Sequence, residues 1–201
     1  VRLLNKNSIY EKIKLFVRST SEIKASKIEI FNTDFNNLSN HKEDINGDDC
    51  FFCIGTTKKN TPDKDEYRRI EYDIPVEIAK IAKSNSINSF FYVSSGFADP
   101  KSSGAYLKNK GQVEEELIKL NFSILGIMRP SFLVGNRKEK RPGEEVGIFF
   151  FKIFSPLLLG PLKKMRPIQS EKVAKVMIKI ANENLKKTIF ESNEIAELAL
   201  N

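Results

Sequence analysis

Two short apolar segments, joined by an amphipathic one, constrain the fold of this chain more than any other feature. The first, Phe90 to Val93, ends in Ser94-Ser95-Gly96, and the second, Phe122 to Met128, ends in Arg129-Pro130-Ser131. Short apolar runs followed by turn residues are typical of buried strands. Strands joined by a helical crossover lie parallel, and open α/β sheets bind ligands beyond the carboxyl ends of such strands. The pattern therefore predicts an α/β fold with a site after these two strands.

Tyr106 and Lys110 begin the amphipathic segment and are four residues apart, which places them on one face of a helix. A free tyrosine titrates near ~10, and a neighbouring lysine cation favours the phenolate and lowers that pKa. The phenol can then exchange a proton with a carbonyl or alcohol oxygen, which a serine hydroxyl can also hydrogen-bond. We favour Ser95 for that role because it stands nearer the loop, with Ser94 as the second candidate. The alternative is a surface Tyr and Lys on a solvated helix start.

Five short motifs occur in order along the chain and together resemble the short-chain dehydrogenase/reductase superfamily, in its atypical NAD(P)-binding branch. They are Cys53-Ile-Gly-Thr-Thr57, Val93-Ser-Ser-Gly96, Tyr106-Leu-Lys-Asn-Lys-Gly111, Met128-Arg-Pro130 and Arg141-Pro-Gly-Glu144. The resemblance extends from about Lys12 to Leu198. It implies a Rossmann-like, doubly wound, mainly parallel sheet in a three-layer αβα sandwich.

The resemblance also implies roles for individual residues. Tyr106 would move a proton, Lys110 would tune it and hold a ribose, and Ser95 would orient the substrate oxygen. The residues expected to contact the dinucleotide are Arg18, Asp34, Phe35, Gly55, Thr56, Thr57, Ser94, Lys110, Pro130 and Ser131. A cation at Arg18 suits a 2′-phosphate and indicates NADP, with NAD as the alternative. Arg18 could also be an ordinary exposed strand-end arginine, and Asp34 a helix cap.

The family pattern begins with a strand and a glycine-rich turn that this sequence does not contain, since its first glycine is Gly47. Lys12–Arg18 and Lys27–Phe31 have the pattern of the second and third family strands, and Cys50–Ile54 that of the fourth. The first strand is central in the usual order, so without it the second and third strands have no partner joining them to the fourth. We therefore expect a shortened form of a longer protein, lacking roughly 15–25 residues, with weakened dinucleotide binding.

Length and charge bound the remaining possibilities. A chain of 201 residues predicts a single domain over 1–201, with residues 136–168 as a small substrate-side insertion. The net charge of +7 comes from 33 Lys and Arg spread among 26 acids, which favours a solvated lysine-rich surface over nucleic-acid binding. We expect a small-molecule substrate, a monomer or homodimer, and no nucleic-acid or membrane partner.

Two cysteines, Cys50 and Cys53, and the single His41 are too few to predict a metal site. We interpret both thiols as core residues of a reducing compartment, and no apolar run reaches the ~20 residues of a membrane span. The sequence therefore predicts a cytoplasmic protein without a metal.

Two functions fit these residues. The first is an NADP-dependent oxidoreductase that acts on a small carbonyl or alcohol compound. The alternative is a non-catalytic sensor or scaffold protein that binds a dinucleotide without turnover. Replacing Tyr106 by Phe separates them, because only the first requires the phenolic proton.

Overall fold

Parallel strands alternate with helices through most of the chain, in a computed structural model that describes residues 1–19, 23, 25–134, 165–183 and 185–200. In chain order the elements are α1 (Arg2–Lys6), β1 (Ile13–Val17), β2 (Ile28–Asn32), a 3-10 turn (Leu38–His41), β3 (Asp49–Phe52), α2 (Lys64–Arg68), a π-helical turn (Arg69–Asp73), α3 (Ile74–Ser84), β4 (Ser89–Val93), α4 (Ala105–Lys119), β5 (Ile124–Arg129), β6 (Leu133–Val134), β7 (Ile168–Gln169), α5 (Ser170–Glu183), β8 (Ile189–Glu191) and α6 (Ser192–Leu198).

The main sheet has four parallel strands in the order β3–β4–β5–β8. Phe91 in the middle of β4 lies between Phe51 of β3 and Gly126 of β5. A side chain at Gly126 would collide with the Phe91 ring, since an added Cβ would lie 2.5 Å from its Cδ1. The two apolar segments are therefore adjacent parallel strands, as the sequence predicts, and their carboxyl ends meet at one edge.

The side chains of consecutive β4 residues point to opposite faces of the sheet. Phe90 and Tyr92 pack with residues of α3 and α4 in one core, whereas Phe91 packs with residues of α5 and α6 in a second core. This alternation follows from the two-residue period of a strand, and β4 reads as continuously apolar because both faces are covered. The predicted three-layer αβα arrangement is confirmed.

β1 and β2 pair in parallel with each other and form a separate two-stranded sheet, with no ladder to β3 among the described residues. Side chains connect this pair to the rest of the molecule: the Tyr10 hydroxyl donates to Asp49 Oδ2 at 2.9 Å, and Phe16 packs against the core under α3 and α4. The gap between the two sheets lies between β1 and β3, which correspond to the second and fourth family strands. In the family pattern the first strand occupies this position.

The sequence pattern predicts a helix over Tyr67–Asn85 whose amino end lies close to Asp73, because Pro75 is tolerated only near a helix start. The helical path instead begins at Lys64, where Asp63 accepts hydrogen bonds from the next turn. It continues through the wide turn Arg69–Asp73 into α3. A proline lacks the N–H that bonds to residue i−4 and crowds that carbonyl, and a widened turn accommodates this defect.

Several predictions fall on residues outside those described. They include the motif Arg141–Glu144, most of the predicted insertion 136–168, and the apolar run Ile148–Leu159, whose pattern favours a core helix over a substrate lid or dimer surface. The assignment of the whole chain to one domain stays a prediction. Within the described ranges, no helix has the length and apolar character that crossing a membrane requires.

Candidate functional site

Tyr106 and Lys110 lie on one face of the first turns of α4, as their spacing predicts. The Lys110 ammonium is 5.9 Å from the centre of the Tyr106 ring and 4.8 Å from that of Tyr92. Tyr106 is 40% exposed, whereas Lys110 is 4% exposed. The phenol therefore reaches solvent while the ammonium supports it from the interior.

Gly111 allows the start of α4 to pack closely on the loop after β4. A Cβ added there would lie 2.3 Å from Pro100 N and 2.5 Å from Asp99 C, which is impossible without moving the backbone. The Asp99 N–H also donates to the Leu107 carbonyl at 3.1 Å. The glycine thus fixes where Tyr106 and Lys110 stand relative to the end of β4.

Glu71, in the π-helical turn, is the counter-charge of Lys110. Its Oε2 lies 3.1 Å from Lys110 Nζ, and Nζ also donates to the Val93 carbonyl at 3.3 Å. Glu71 Oε1 accepts a hydrogen bond from the Thr56 N–H at 2.6 Å. The carboxylate, 1% exposed, thereby joins α4 to the loop after β3.

The charge state of Lys110 follows from these neighbours. Burial alone would lower its pKa, but the Tyr92, Glu71 and Tyr106 side chains outweigh burial and raise the pKa above the ordinary lysine value. Burial raises the pKa of Tyr92 to about 12. At neutral pH the site therefore holds a protonated lysine next to a neutral Tyr92.

The two serines after β4 differ in how they are engaged. Ser94 Oγ donates to the Glu114 carboxylate, whereas Ser95 Oγ makes a 3.2 Å hydrogen bond to the adjacent Gly96 carbonyl. Both residues are buried. A local bond of this length is easily exchanged for one to a ligand, so Ser95 is the more available hydroxyl.

The amphipathic pattern of α4 predicts that Glu114, Glu115 and Glu116 face solvent or neighbouring lysines, but Glu114 is buried. It is 3% exposed and accepts hydrogen bonds from Arg129 Nε at 3.0 and 3.2 Å. Arg129 Nη1 also lies 3.3 Å from Glu191 Oε1. The carboxylate can be buried because a guanidinium and the Ser94 hydroxyl satisfy it, and it connects α4 to β5 beneath the site.

The predicted dinucleotide loop, Gly55 to Thr57, lies beside this cluster. A Cβ at Gly55 would be 3.2 Å from Glu71 Oε1, so only a residue without a side chain fits here without displacing the carboxylate. Thr56 Oγ1 is 2.8 Å from Thr61 Oγ1, and Thr57 Oγ1 accepts from Asn60 N–H at 3.3 Å. The structure thus brings Gly55 and Thr56 together with Lys110 through one carboxylate.

Arg18, Asp34 and Phe35 follow the other sheet pair. Arg18 is exposed, directly after β1. Asp34 Oδ1 accepts from Asn36 N–H at 2.9 Å, which is a local turn. Phe35 has a left-handed φ of 62° and is 2% exposed, so its ring belongs to the core. Its carbonyl accepts from Arg69 Nη2 at 2.8 Å, which ties it to the turn that carries Glu71.

Pro130 and Ser131 lie across from the serines. The Gly96 N–H donates to the Pro130 carbonyl at 2.7 Å. Ser131 Oγ donates to the Arg166 carbonyl at 2.5 Å and is 3.3 Å from Ser192 Oγ. The loops after β4 and β5 therefore touch, as parallel neighbouring strands require.

Sequence reasoning missed Glu71 and misplaced Glu114, although each carries a signal. Glu71 follows Tyr67 by four residues and precedes Ile74 and Ile78 by three and seven, so it stands in the apolar stripe of its helix. Glu114 stands between the buried Val113 and Leu117. An acidic residue on an apolar stripe is evidence for a buried partner.

Groups of three or more His, Cys, Asp or Glu positioned to hold a metal do not occur in the part of the chain that the structure describes. Cys50 is half-buried and Cys53 is exposed, so the prediction that both are core thiols is wrong for Cys53. Cys53 follows Phe52, the last residue of β3, and so lies beyond the end of the strand.

The parallel αβα sheet and the Tyr106–Lys110 pair define a short-chain dehydrogenase/reductase architecture, and the chain belongs to the atypical branch of that family. Its relatives include protein FMP52-1, mitochondrial, of Scheffersomyces stipitis, which is 33% identical over 158 residues, covering 74% of this chain and 68% of the relative. FMP52 of Meyerozyma guilliermondii is 30% identical over 199 residues, covering 94% and 82%. Rat HTATIP2 is 36% identical over 119 residues, and this match spans about half (49%) of the length of HTATIP2. No model of a protein family matches the chain.

Solved structures share the fold at low sequence identity. The Bordetella bronchiseptica enzyme WbmH, in complex with NAD+, superposes with a TM-score of 0.66 at 13% identity and covers 94% of this chain and 71% of its own. The dTDP-4-dehydrorhamnose reductase of Bacillus anthracis, in complex with NADP, has a TM-score of 0.62 at 14% identity and covers 92% and 76%. These likenesses confirm the Rossmann-like architecture.

The prediction of a cytoplasmic location is wrong. The FMP52 relatives are named mitochondrial proteins. The error has a physical reason, because free thiols indicate a reducing environment but do not distinguish one such compartment from another.

Proposed function

We propose that this chain is an NADP-dependent oxidoreductase that acts on a small carbonyl or alcohol compound. One observation carries the proposal: an exposed Tyr106 phenol lies next to a buried, protonated Lys110 at the carboxyl edge of a parallel sheet. An exposed acid supported by an interior cation is suited to exchanging a proton with a substrate oxygen.

The residues around this edge fit a dinucleotide. Gly55 leaves room for the Glu71 carboxylate that bonds the Thr56 N–H, and the Thr56 and Thr57 hydroxyls belong to the same loop. The Arg18 guanidinium is exposed directly after β1, and a cation at that position suits a 2′-phosphate, which supports NADP over NAD. Bound there, the cofactor would supply or accept the hydride.

The protein's own residues would manage the proton and the substrate. In the reducing direction Tyr106 Oη would donate its proton to the carbonyl oxygen, and in the oxidising direction it would take that proton back from the alcohol. Lys110 stabilises the phenolate left after donation. Ser95 Oγ holds the same substrate oxygen after releasing the Gly96 carbonyl. Because the FMP52 relatives are named mitochondrial, we place this activity in the mitochondrion.

A second function, dinucleotide binding without turnover, has one observation in its favour. Lys110 is only 4% exposed and its ammonium is engaged by Glu71 at 3.1 Å, so it meets a ribose only after a rearrangement. A sensor or scaffold would need no such rearrangement.

Tyr106→Phe tests the proposal. We expect turnover of a panel of small aldehydes and ketones with NADPH to fall by at least ~100-fold, the usual contribution of acid–base catalysis, while the NADPH dissociation constant stays within about twofold. Titrations with NADPH and NADH give the cofactor preference in the same experiment. Tyr72→Phe, which removes a phenol stacked on Arg68 outside the site, is the matched control and should leave turnover unchanged. Tight NADPH binding without turnover of any carbonyl would favour the sensor instead.

A further inference from the structure

The Glu71 carboxylate contacts both halves of the candidate site. Its Oε1 accepts from the Thr56 N–H at 2.6 Å, and its Oε2 lies 3.1 Å from the Lys110 ammonium. Thr56 belongs to the loop proposed to bind the dinucleotide, and Lys110 is the proposed partner of Tyr106. One buried side chain therefore stands between the cofactor loop and the proton-transfer pair.

We propose that Glu71 is a positioning residue that holds the Lys110 ammonium beside Tyr106 and couples it to the Gly55–Thr56 loop. The inference rests on the proposed function in one respect: it takes Lys110 to be the group that stabilises the Tyr106 phenolate. A shift of the Thr56 amide moves the carboxylate that it bonds, and the ammonium follows its counter-charge. Ligand binding at the loop is transmitted to the lysine in this way.

The local backbone explains why a carboxylate reaches this position. Pro75 cannot donate to the carbonyl of residue 71, and the helix widens over Arg69–Asp73 immediately before it. Widened turns of this kind are frequent at functional sites. On the opposite side, the absence of a side chain at Gly55 leaves room for Oε1, since a Cβ there would approach it to 3.2 Å. Pro75 and Gly55 together therefore explain how the Glu71 carboxylate is accommodated in the interior.

Glu71 differs in charge from the other groups around Lys110. The titratable neighbours come from five elements or loops: Glu71 of the π-helical turn, Tyr92 of β4, Tyr106 of α4, Tyr67 of α2 and Cys53 after β3. Burial raises the pKa of Tyr67 and of Tyr92 to about 12. Glu71 is the one carboxylate of this set. Without it, burial of Lys110 favours the neutral amine.

Trace labelling of lysines with acetic anhydride, followed by peptide mass spectrometry across a pH series, tests this without requiring turnover. Lys110 of the wild-type protein should remain protonated and unlabelled at pH values where the exposed Lys119 reacts. In Glu71→Gln the labelling midpoint of Lys110 should fall by at least ~1 pH unit, a tenfold change at a given pH. Glu77→Gln removes a carboxylate that pairs with Arg69 at 3.0 Å and is 40% exposed, and it should leave Lys110 unchanged.

The coupling has its own measurement. Hydrogen exchange at the Thr56 amide should be at least ~10-fold faster in Lys110→Met, because the carboxylate that accepts this N–H loses its anchor. Equal exchange in the two proteins would overturn the coupling.

The outcomes separate this inference from the proposed function. A folded Glu71→Gln whose Lys110 labels as in the wild type would overturn the positioning role. If that variant does not fold, the wild-type protein still decides, because labelling of Lys110 alongside Lys119 would equally overturn it. Failure of the proposed function shows instead as absent NADPH binding or turnover, with the labelling shift still present.

Discussion

The Glu71 carboxylate and the Lys110 ammonium lie 3.1 Å apart, with side chains 1% and 5% exposed. A buried ion pair contributes little net stability, since desolvation offsets the attraction, but a single partner left behind is strongly destabilising. The pair is therefore better explained by the need for a charge at this place than by stability.

Lys110→Met tests whether removing one partner of the buried pair destabilises the fold. The variant leaves Glu71 buried without a counter-charge, so we expect the free energy of unfolding to drop by about 3–5 kcal/mol. Adding Glu71→Gln to the same chain should recover most of this loss, because the charge that lacks a partner is gone. Urea denaturation of the two single variants and the double variant completes the cycle.

Lys119→Met is the surface counterpart, since Lys119 pairs with Glu116 at 2.7 Å while 67% exposed. It should leave the unfolding midpoint unchanged. If Lys110→Met proves no more destabilising than Lys119→Met, the buried pair is not the constraint on α4 that its geometry indicates.

Gly111→Ala should damage the start of α4. Its new Cβ would lie 2.3 Å from Pro100 N, and backbone on both sides has to move. Overpacking of this kind costs about 1–3 kcal/mol. In Gly104→Ala the new Cβ meets Ser102 Oγ at 3.6 Å, an ordinary contact, so thermal unfolding should separate the two variants clearly. Equal melting temperatures would mean that the loop around Pro100 moves away from the new methyl group at little cost in stability.

Hydrophobic pattern was sufficient to predict the main sheet. Phe90 to Val93 and Phe122 to Met128 are continuously apolar because helices cover both faces, and turn residues mark their ends. The spacing of Tyr106 and Lys110 likewise placed two side chains on one helix face. These inferences succeed because they depend on residues close in the chain.

The parts that failed depend on contacts between distant segments. Glu114 was expected to face solvent or neighbouring lysines because a charged residue on a helix is usually exposed, and its burial requires Arg129 of β5. Glu71 was overlooked for the same reason, since its partner Lys110 lies on another helix. The helix start at Lys64 was missed because proline is normally tolerated only in the first turn of a helix, whereas Pro75 here follows a π-helical turn that accommodates it.

The raised pKa of Tyr92 predicts that the folded protein loses stability at alkaline pH. Burial raises its pKa in the folded protein to about 12, whereas a tyrosine of an unfolded chain titrates near ~10. Because the folded value is the higher one, its contribution is complete below pH ~10 and is lost as the pH rises toward the folded pKa. The free energy of unfolding should therefore decline by on the order of 2 kcal/mol for this residue between those values.

Tyr92→Phe should remove that part of the decline. The Tyr92 hydroxyl is buried and makes no hydrogen bond among the described residues, so at neutral pH the variant should match the wild type to within about 1 kcal/mol. Urea denaturation at intervals from pH 8 to the alkaline limit measures both effects in each protein. Parallel curves for the two proteins would show that Tyr92 ionises equally easily in the folded and unfolded states, which its enclosure between β3 and β5 argues against.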